Sequence, residues 1–108
     1  MTPSGTFEKI FQIILERKQQ GDTQNSYVAR LMDKGLDSIL KKVGEESAEV
    51  IIAAKNGTAK DCIHEVTDLW FHSMVLMVQL GLSLEDIAQE FEKRFGRSGL
   101  EEKASRGA

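Results

Sequence analysis

The sequence predicts an all-α protein, an antiparallel bundle of four to five helices completed by dimerisation. Three observations predict it. The chain has one proline in 108 residues, Pro3, which leaves everything after it free to be helical. Apolar residues recur at the i, i+3, i+4, i+7 spacing of amphipathic helices through most of the length. Glycines and Ser or Thr residues punctuate these stretches where helices stop and start. No stretch requires a strand, and residues 1–108 read as a single domain.

The elements follow in order. Phe7, Ile10, Phe11, Ile14 and Leu15 make the apolar stripe of a first helix that should stop near Gly21, with Pro3 outside it. "GDTQN" reads as a loop, and Ser26 is placed to cap a short helix running to about Asp33. "KG" at 34–35 ends that piece, with Asp37 or Ser38 as the cap of the next. The third helix should span about 38–56, with Ile39, Leu40, Val43, Val50, Ile51, Ala53 and Ala54 on its apolar side. Gly57 suits a left-handed cap, and Thr58 can open a fourth helix that reaches about Leu80. Its apolar face is broad: Ile63, Val66, Leu69, Trp70, Met74, Leu76, Met77 and Leu80. A face this wide suits contacts on more than one side, at a bundle centre or a dimer seam. "SLED" caps a fifth helix ending near "RFG". The stretch from about 97 onward is poor in apolar residues and is expected to be partly mobile.

Composition narrows the function. A net charge of −3 argues against a nucleic-acid surface. The single cysteine, Cys62, excludes an internal disulfide framework. No apolar run reaches the roughly 18 residues that span a bilayer, and no secretory signal pattern opens the sequence. The expectation is a cytoplasmic protein with neither nucleic acid nor membrane as partner.

The chemistry is concentrated in "KKVGEESAEV", 41–50, where Glu45, Glu46 and Glu49 crowd beside Val43 and Val50. Like charges one turn apart repel and give a helix nothing. The short turn at Gly57 implies that the helices it joins pack antiparallel. Counting outward from it, Glu49 and Glu65 both stand eight residues away, and Glu46 and Asp68 both stand eleven away. The first of these levels lies roughly 12 Å from the turn at about 1.5 Å per residue. At about 100° per residue, Glu46 and Glu65 fall at the margins of their apolar stripes. Glu49 and Asp68 lie just beyond them, and Glu45 points further toward solvent. His72 shares the flank of Asp68 and reads as a core or supporting histidine; His64 points elsewhere. Four carboxylates can thus converge across a helix–helix gap of about 8–10 Å. Uncompensated, they would repel in a partly desolvated site. A divalent cation removes that cost, and all-oxygen ligation suits Mg²⁺, with Mn²⁺ as the alternative.

These residues are familiar as a set. "EESAE" (45–49), followed after 15 residues by "EVTD" (65–68), resembles the EExxE…ExxD pattern of the MazG-like nucleoside triphosphate pyrophosphatases. "SYVARLMDKG" (26–35), "ILKKVGEESAEVIIAAKNG" (39–57), "EVTDLWFHSMVLM" (65–77) and "RSGLEEKASR" (97–106) are similar to the phosphoribosyl-ATP pyrophosphatase branch. The similarity covers nearly all of the chain after about residue 6, and "KKVGEE" with the basic tail is its most specific part.

The resemblance implies hydrolysis of 1-(5-phosphoribosyl)-ATP between the α and β phosphates, giving the AMP compound and pyrophosphate, the second step of histidine biosynthesis. It implies a small-molecule nucleotide substrate and a homodimer. Residue by residue, it gives Glu46, Glu49, Glu65 and Asp68 as metal ligands and Glu45 as the leading glutamate of the motif. Glu45, Glu46 and Glu49 are then the catalytic candidates, a free carboxylate taking a proton from water that the cation makes more acidic. Lys34, Lys41, Lys42, Arg94, Arg97, Lys103 and Arg106 are the basic candidates for the phosphates, and Ser26 and Tyr27 for further substrate contacts. Two rival readings stand beside this one. One is a house-cleaning (d)NTP pyrophosphatase sharing the metal site. The other is a non-catalytic helical dimerisation module whose acidic face is merely solvated.

Overall fold

The computed structural model describes residues 2–96, and every regular element among them is a helix. Helix α1 spans Pro3–Gln20, α2 Tyr27–Lys34, α3 Leu36–Asn56, α4 Ala59–Gln79 and α5 Leu84–Phe95. None is long and apolar enough to cross a membrane.

The ends of the helices follow from local chemistry. Thr2 caps α1 by accepting from the Gly5 N–H, and Pro3 is the first helical residue. The expectation that Pro3 lies outside the helix is therefore corrected. A proline costs nothing in a first turn, where its missing N–H would have no helical partner. Gly21 closes α1 in the left-handed conformation, with φ 65°. Ser26 caps α2, its hydroxyl accepting from the Ala29 N–H at 3.1 Å.

Gly35 alone separates α2 from α3. Its φ of 101° is open in practice only to glycine, and its carbonyl accepts from the Ile39 N–H. Asp37 and Ser38 are thus inside α3 and neither caps it, contrary to the sequence expectation. One glycine turns the chain so sharply that no room remains for a side-chain cap.

Gly57 also differs from expectation. Its backbone is extended (φ −98°), not left-handed. Glycine is needed there for space: a Cβ would stand 2.8 Å from the Ala53 carbonyl oxygen and 3.0 Å from Asp61 Oδ2. Thr58 and Asp61 then form a reciprocal capping box that starts α4. Ser83 and Asp86 repeat the device at α5.

Helices α3 and α4 form the long hairpin, each about 30 Å in length at 1.5 Å per residue. Helices α1 and α2 pack on its open end. The core joins Phe11 and Ile14 of α1, Val28 and Leu31 of α2, Ile39 of α3 and Met74, Val75 and Val78 of α4. Ile14, Ile39 and Val75 are wholly enclosed. The turn end of the hairpin has no such cover. Ile51, Ile52 and Ile63 are 65%, 55% and 69% exposed, and Trp70 is half exposed. No residue of α5 is buried, and Ile87, Phe91 and Phe95 face outward.

Two glycines give opposite predictions. Gly44, exposed within α3, has nothing within 4 Å of an added Cβ. Gly44→Ala should raise stability by about 0.5–1 kcal/mol through reduced backbone freedom in the unfolded chain. Gly57→Ala should lower it by about 1–3 kcal/mol through overpacking against the Ala53 carbonyl. Urea titrations of the two variants beside the parent chain check both signs.

Candidate active site

The site lies midway along the α3–α4 hairpin, where the covered end gives way to the uncovered one. Its register can be read from one contact near the turn: the Cys62 thiol donates to the Ala53 carbonyl oxygen at 3.3 Å. That pairs the two helices within one residue of the counting that sets Glu49 beside Glu65 and Glu46 beside Asp68. Glu49 and Glu65 line one cleft together with Ile52, Ala53, Asn56, Gly57 and Asp61.

The carboxylates are not equivalent. Glu46 is buried, with 8% exposure. An enclosed carboxylate needs partners, and its Oε1 lies 3.4 Å from the Lys42 ammonium one turn earlier. Lys42 also reaches Glu45 Oε2 at 3.6 Å. Desolvation works against the Lys42 ammonium, but the hydrogen bond to Glu46 and the fields of Tyr27, Glu46 and Glu45 outweigh it and raise its pKa. Glu45 and Glu49 are exposed, while Glu65 and Asp68 are half-buried.

On α4, His64, Glu65 and Asp68 each present a ligand atom within 4.8 Å of the others. His64 Nε2 stands 3.3 Å from Asp68 Oδ2. His64 is exposed, yet it does not point away from the carboxylates as the sequence reading held. The pair sits at i, i+4 on one helix, the spacing that stacks side chains one turn apart. That spacing is the signal that could have found it. Among the described residues this trio is the one group of three or more close enough to share an ion, and neither Glu46 nor Glu49 of α3 belongs to it.

Behind the carboxylates lies a part-buried polar pair. His72, 6% exposed, has its Nδ1 at 2.8 Å from the Asp68 carbonyl oxygen and its Nε2 at 2.8 Å from the Tyr27 hydroxyl. Both ring nitrogens are occupied, so His72 supports the site and is not free to ligate an ion. Tyr27, the first residue of α2, is brought here from 45 residues away in sequence. Its phenol pKa is raised: partial burial disfavours the phenolate, Lys42 opposes this, and Glu46, Asp68 and Glu45 reinforce it. Those charges are the site, and Tyr27 stands among them.

The remaining sequence candidates are less tightly placed. Ser26 is buried and its hydroxyl is engaged in capping α2. Lys34 and Lys41 are exposed. Arg94 is turned onto Glu90 at 2.9 Å along α5. Arg97, Lys103 and Arg106 lie outside the described residues.

Known proteins are similar to this chain over most of its length. The family model for phosphoribosyl-ATP pyrophosphohydrolase matches residues 7–95. A phosphoribosyl-ATP pyrophosphatase of Methylococcus capsulatus is 53% identical over 93 residues, 86% of this chain and 89% of that protein. The protein of the same name from Pelobacter propionicus is 48% identical over 99 residues, 92% and 91% of the two chains. That of Vesicomyosocius okutanii is 50% identical over 93 residues, 86% and 89%. With nearly all of its described helices inside the matched region, the chain belongs to the phosphoribosyl-ATP pyrophosphohydrolase family.

Proposed function

We propose that the protein hydrolyses 1-(5-phosphoribosyl)-ATP to 1-(5-phosphoribosyl)-AMP and pyrophosphate, with the α3–α4 carboxylates as its active site. The observation that carries the reading is the grouping of Glu65 and Asp68 on α4 at the depth where α3 offers Glu46 and Glu49. Their donor set fits a hard divalent cation, Mg²⁺ or Mn²⁺. Glu46, Glu49, Glu65 and Asp68 would hold it. When bound, such an ion neutralises phosphate oxygens and makes nearby water more acidic.

The chain's own residues supply the rest. A water oxygen forms the new P–O bond as the α–β anhydride bond breaks and pyrophosphate departs. The water's proton passes to a carboxylate not engaged in ligation. Glu45, exposed at the mouth of the site and outside the four ligands, is the candidate for that role. Lys42 has its ammonium shared between Glu45 and Glu46. With Glu46 engaged in ligation, Lys42 would be free to meet a phosphate oxygen. The (d)NTP pyrophosphatase reading shares the same carboxylates and differs in the substrate pocket.

The working form is a homodimer. A 108-residue globule has a radius of gyration of about 13 Å, whereas this protomer's is 16.8 Å, with extents of 55 × 36 × 31 Å. The uncovered hairpin end and α5 both expose apolar side chains. Thr6, Phe7, Ile10, Cys62, Ile63, Val66, Trp70 and Met74 line an apolar groove continuous with a second one under Leu84, Ile87 and Phe91. Apolar surface of this extent on a small chain suits burial against another copy.

Calorimetric titration with Mg²⁺ should give saturable binding to the parent chain and weakened binding to Glu49→Gln; identical heats would remove the metal assignment. Pyrophosphate release should require Mg²⁺ and fall at least a hundredfold in Glu46→Gln and Asp68→Asn. A panel of dNTPs should be cleaved far more slowly than phosphoribosyl-ATP, and the opposite order would favour the rival enzyme. Light scattering after size exclusion should give a dimer mass, shifted toward monomer by Ile63→Asp.

A further inference from the structure

His72 decides which way the Tyr27 proton points. A backbone carbonyl can only accept, so the His72 nitrogen facing the Asp68 carbonyl oxygen, Nδ1, carries the hydrogen. In the neutral ring Nε2 is then an acceptor, and the Tyr27 hydroxyl 2.8 Å away must donate to it. The aromatic neighbours hold this arrangement. The Tyr27 and His72 rings meet edge to face at 5.7 Å, and Phe71 packs on both, stacked on Tyr27 at 6.5 Å and edge-on to His72 at 5.3 Å. Tyr27 itself is 42% exposed, so a ligand can reach it.

A phenol has one proton, and here it is committed inward. What remains toward the site is acceptor lone pairs alone. Phosphate oxygens at neutral pH are acceptors too, so they gain nothing from Tyr27. Along the substrate from its phosphates, the first groups with a proton to give are the hydroxyls of the ribose that carries the triphosphate. We propose that His72 holds Tyr27 as an acceptor-only group, and that Tyr27 receives a hydrogen bond from a hydroxyl of that ribose. Tyr27 is then a residue of sugar recognition and His72 its positioning residue. The proposal rests on the carboxylate site described above.

The experiment compares phosphoribosyl-ATP with its analogue lacking the 2′- and 3′-hydroxyls of the triphosphate-bearing ribose. Loss of one such hydrogen bond should lower kcat/KM of the parent enzyme about tenfold on the analogue, chiefly through KM. Tyr27→Phe should show a similar loss on the natural substrate and almost no further loss on the analogue. His72→Phe should match Tyr27→Phe, and the double variant should be no worse than either. Unchanged discrimination by Tyr27→Phe overturns the proposal. So does an equal fall in kcat on both substrates, which would assign the donor to water. If His72→Phe unfolds at the assay temperature by circular dichroism, the Tyr27→Phe comparison still decides. Glu46→Gln separates the two levels. If it is inactive while Tyr27→Phe is indifferent, the carboxylate site stands and this inference falls; if Glu46→Gln is fully active, the site reading falls and takes the inference with it.

Discussion

The structure depends on the register of one helical hairpin, and that register is set by a two-residue turn. Gly57 fits under the Ala53 carbonyl only because it lacks a side chain. Thr58 and Asp61 then start α4 at a defined residue by satisfying each other's backbone N–H groups. Each helix is thereby counted from the same point, and side chains at equal offsets share a level. A slip of one residue would turn α4 by about 100° relative to α3. Glu65 and Asp68 would leave the flank they share with Glu46 and Glu49. The arrangement of the acidic site is thus inherited from a turn that contributes no charge to it apart from Asp61.

The carboxylates tolerate close approach because side chains of their own helices attend two of them. Lys42 attends the buried Glu46, and His64 stands against Asp68. Glu49 and Glu65 complete the mouth of the cleft. On the proposed reading these internal partners are place-holders. A divalent ion offers each carboxylate more than a half-exposed ammonium or an exposed imidazole can. The displaced Lys42 then carries its charge toward an anionic substrate.

Much of this was legible in the sequence, because helices and their caps are written locally. The stops at Gly21 and near Gly96, and the caps Ser26, Thr58 and Ser83, follow from residue type and spacing. Pairing the acidic levels needed only a count from the turn. The errors arose where geometry overrides type. Pro3 sits inside α1 because a first turn tolerates it. Gly57 is present for clearance, not for a left-handed backbone, and glycine's letter does not say which. Gly35 does the work expected of Asp37 or Ser38. His64 was misplaced although its i, i+4 relation to Asp68 was available. The Tyr27–His72 bond spans 45 residues and depends on how α2 docks against α4, which no local pattern encodes.

Helix α4 shows why such a small chain can carry a polar site without losing its fold. Along its length the helix meets three environments. Toward its C-terminus Met74, Val75 and Val78 enter the core. In the middle Asp68 and His72 face the polar site. Nearer the turn Ile63 is exposed. The polar segment is tolerated because no side-chain polar atom buried within the described residues lacks a partner, and a satisfied polar group costs little to enclose. His72 is the clearest case: it enters the interior with both ring nitrogens bonded, so the chain places a polar group behind the carboxylates without leaving it unpartnered. The exposed segment leaves Ile51, Ile52 and Ile63 open to solvent, apolar surface that suits a partner. A second copy laid on that face would brace the level at which Glu49 and Glu65 stand. On the proposed reading assembly and the geometry of the site would be one equilibrium, because the hairpin end that a second copy would cover also presents Glu49 and Glu65.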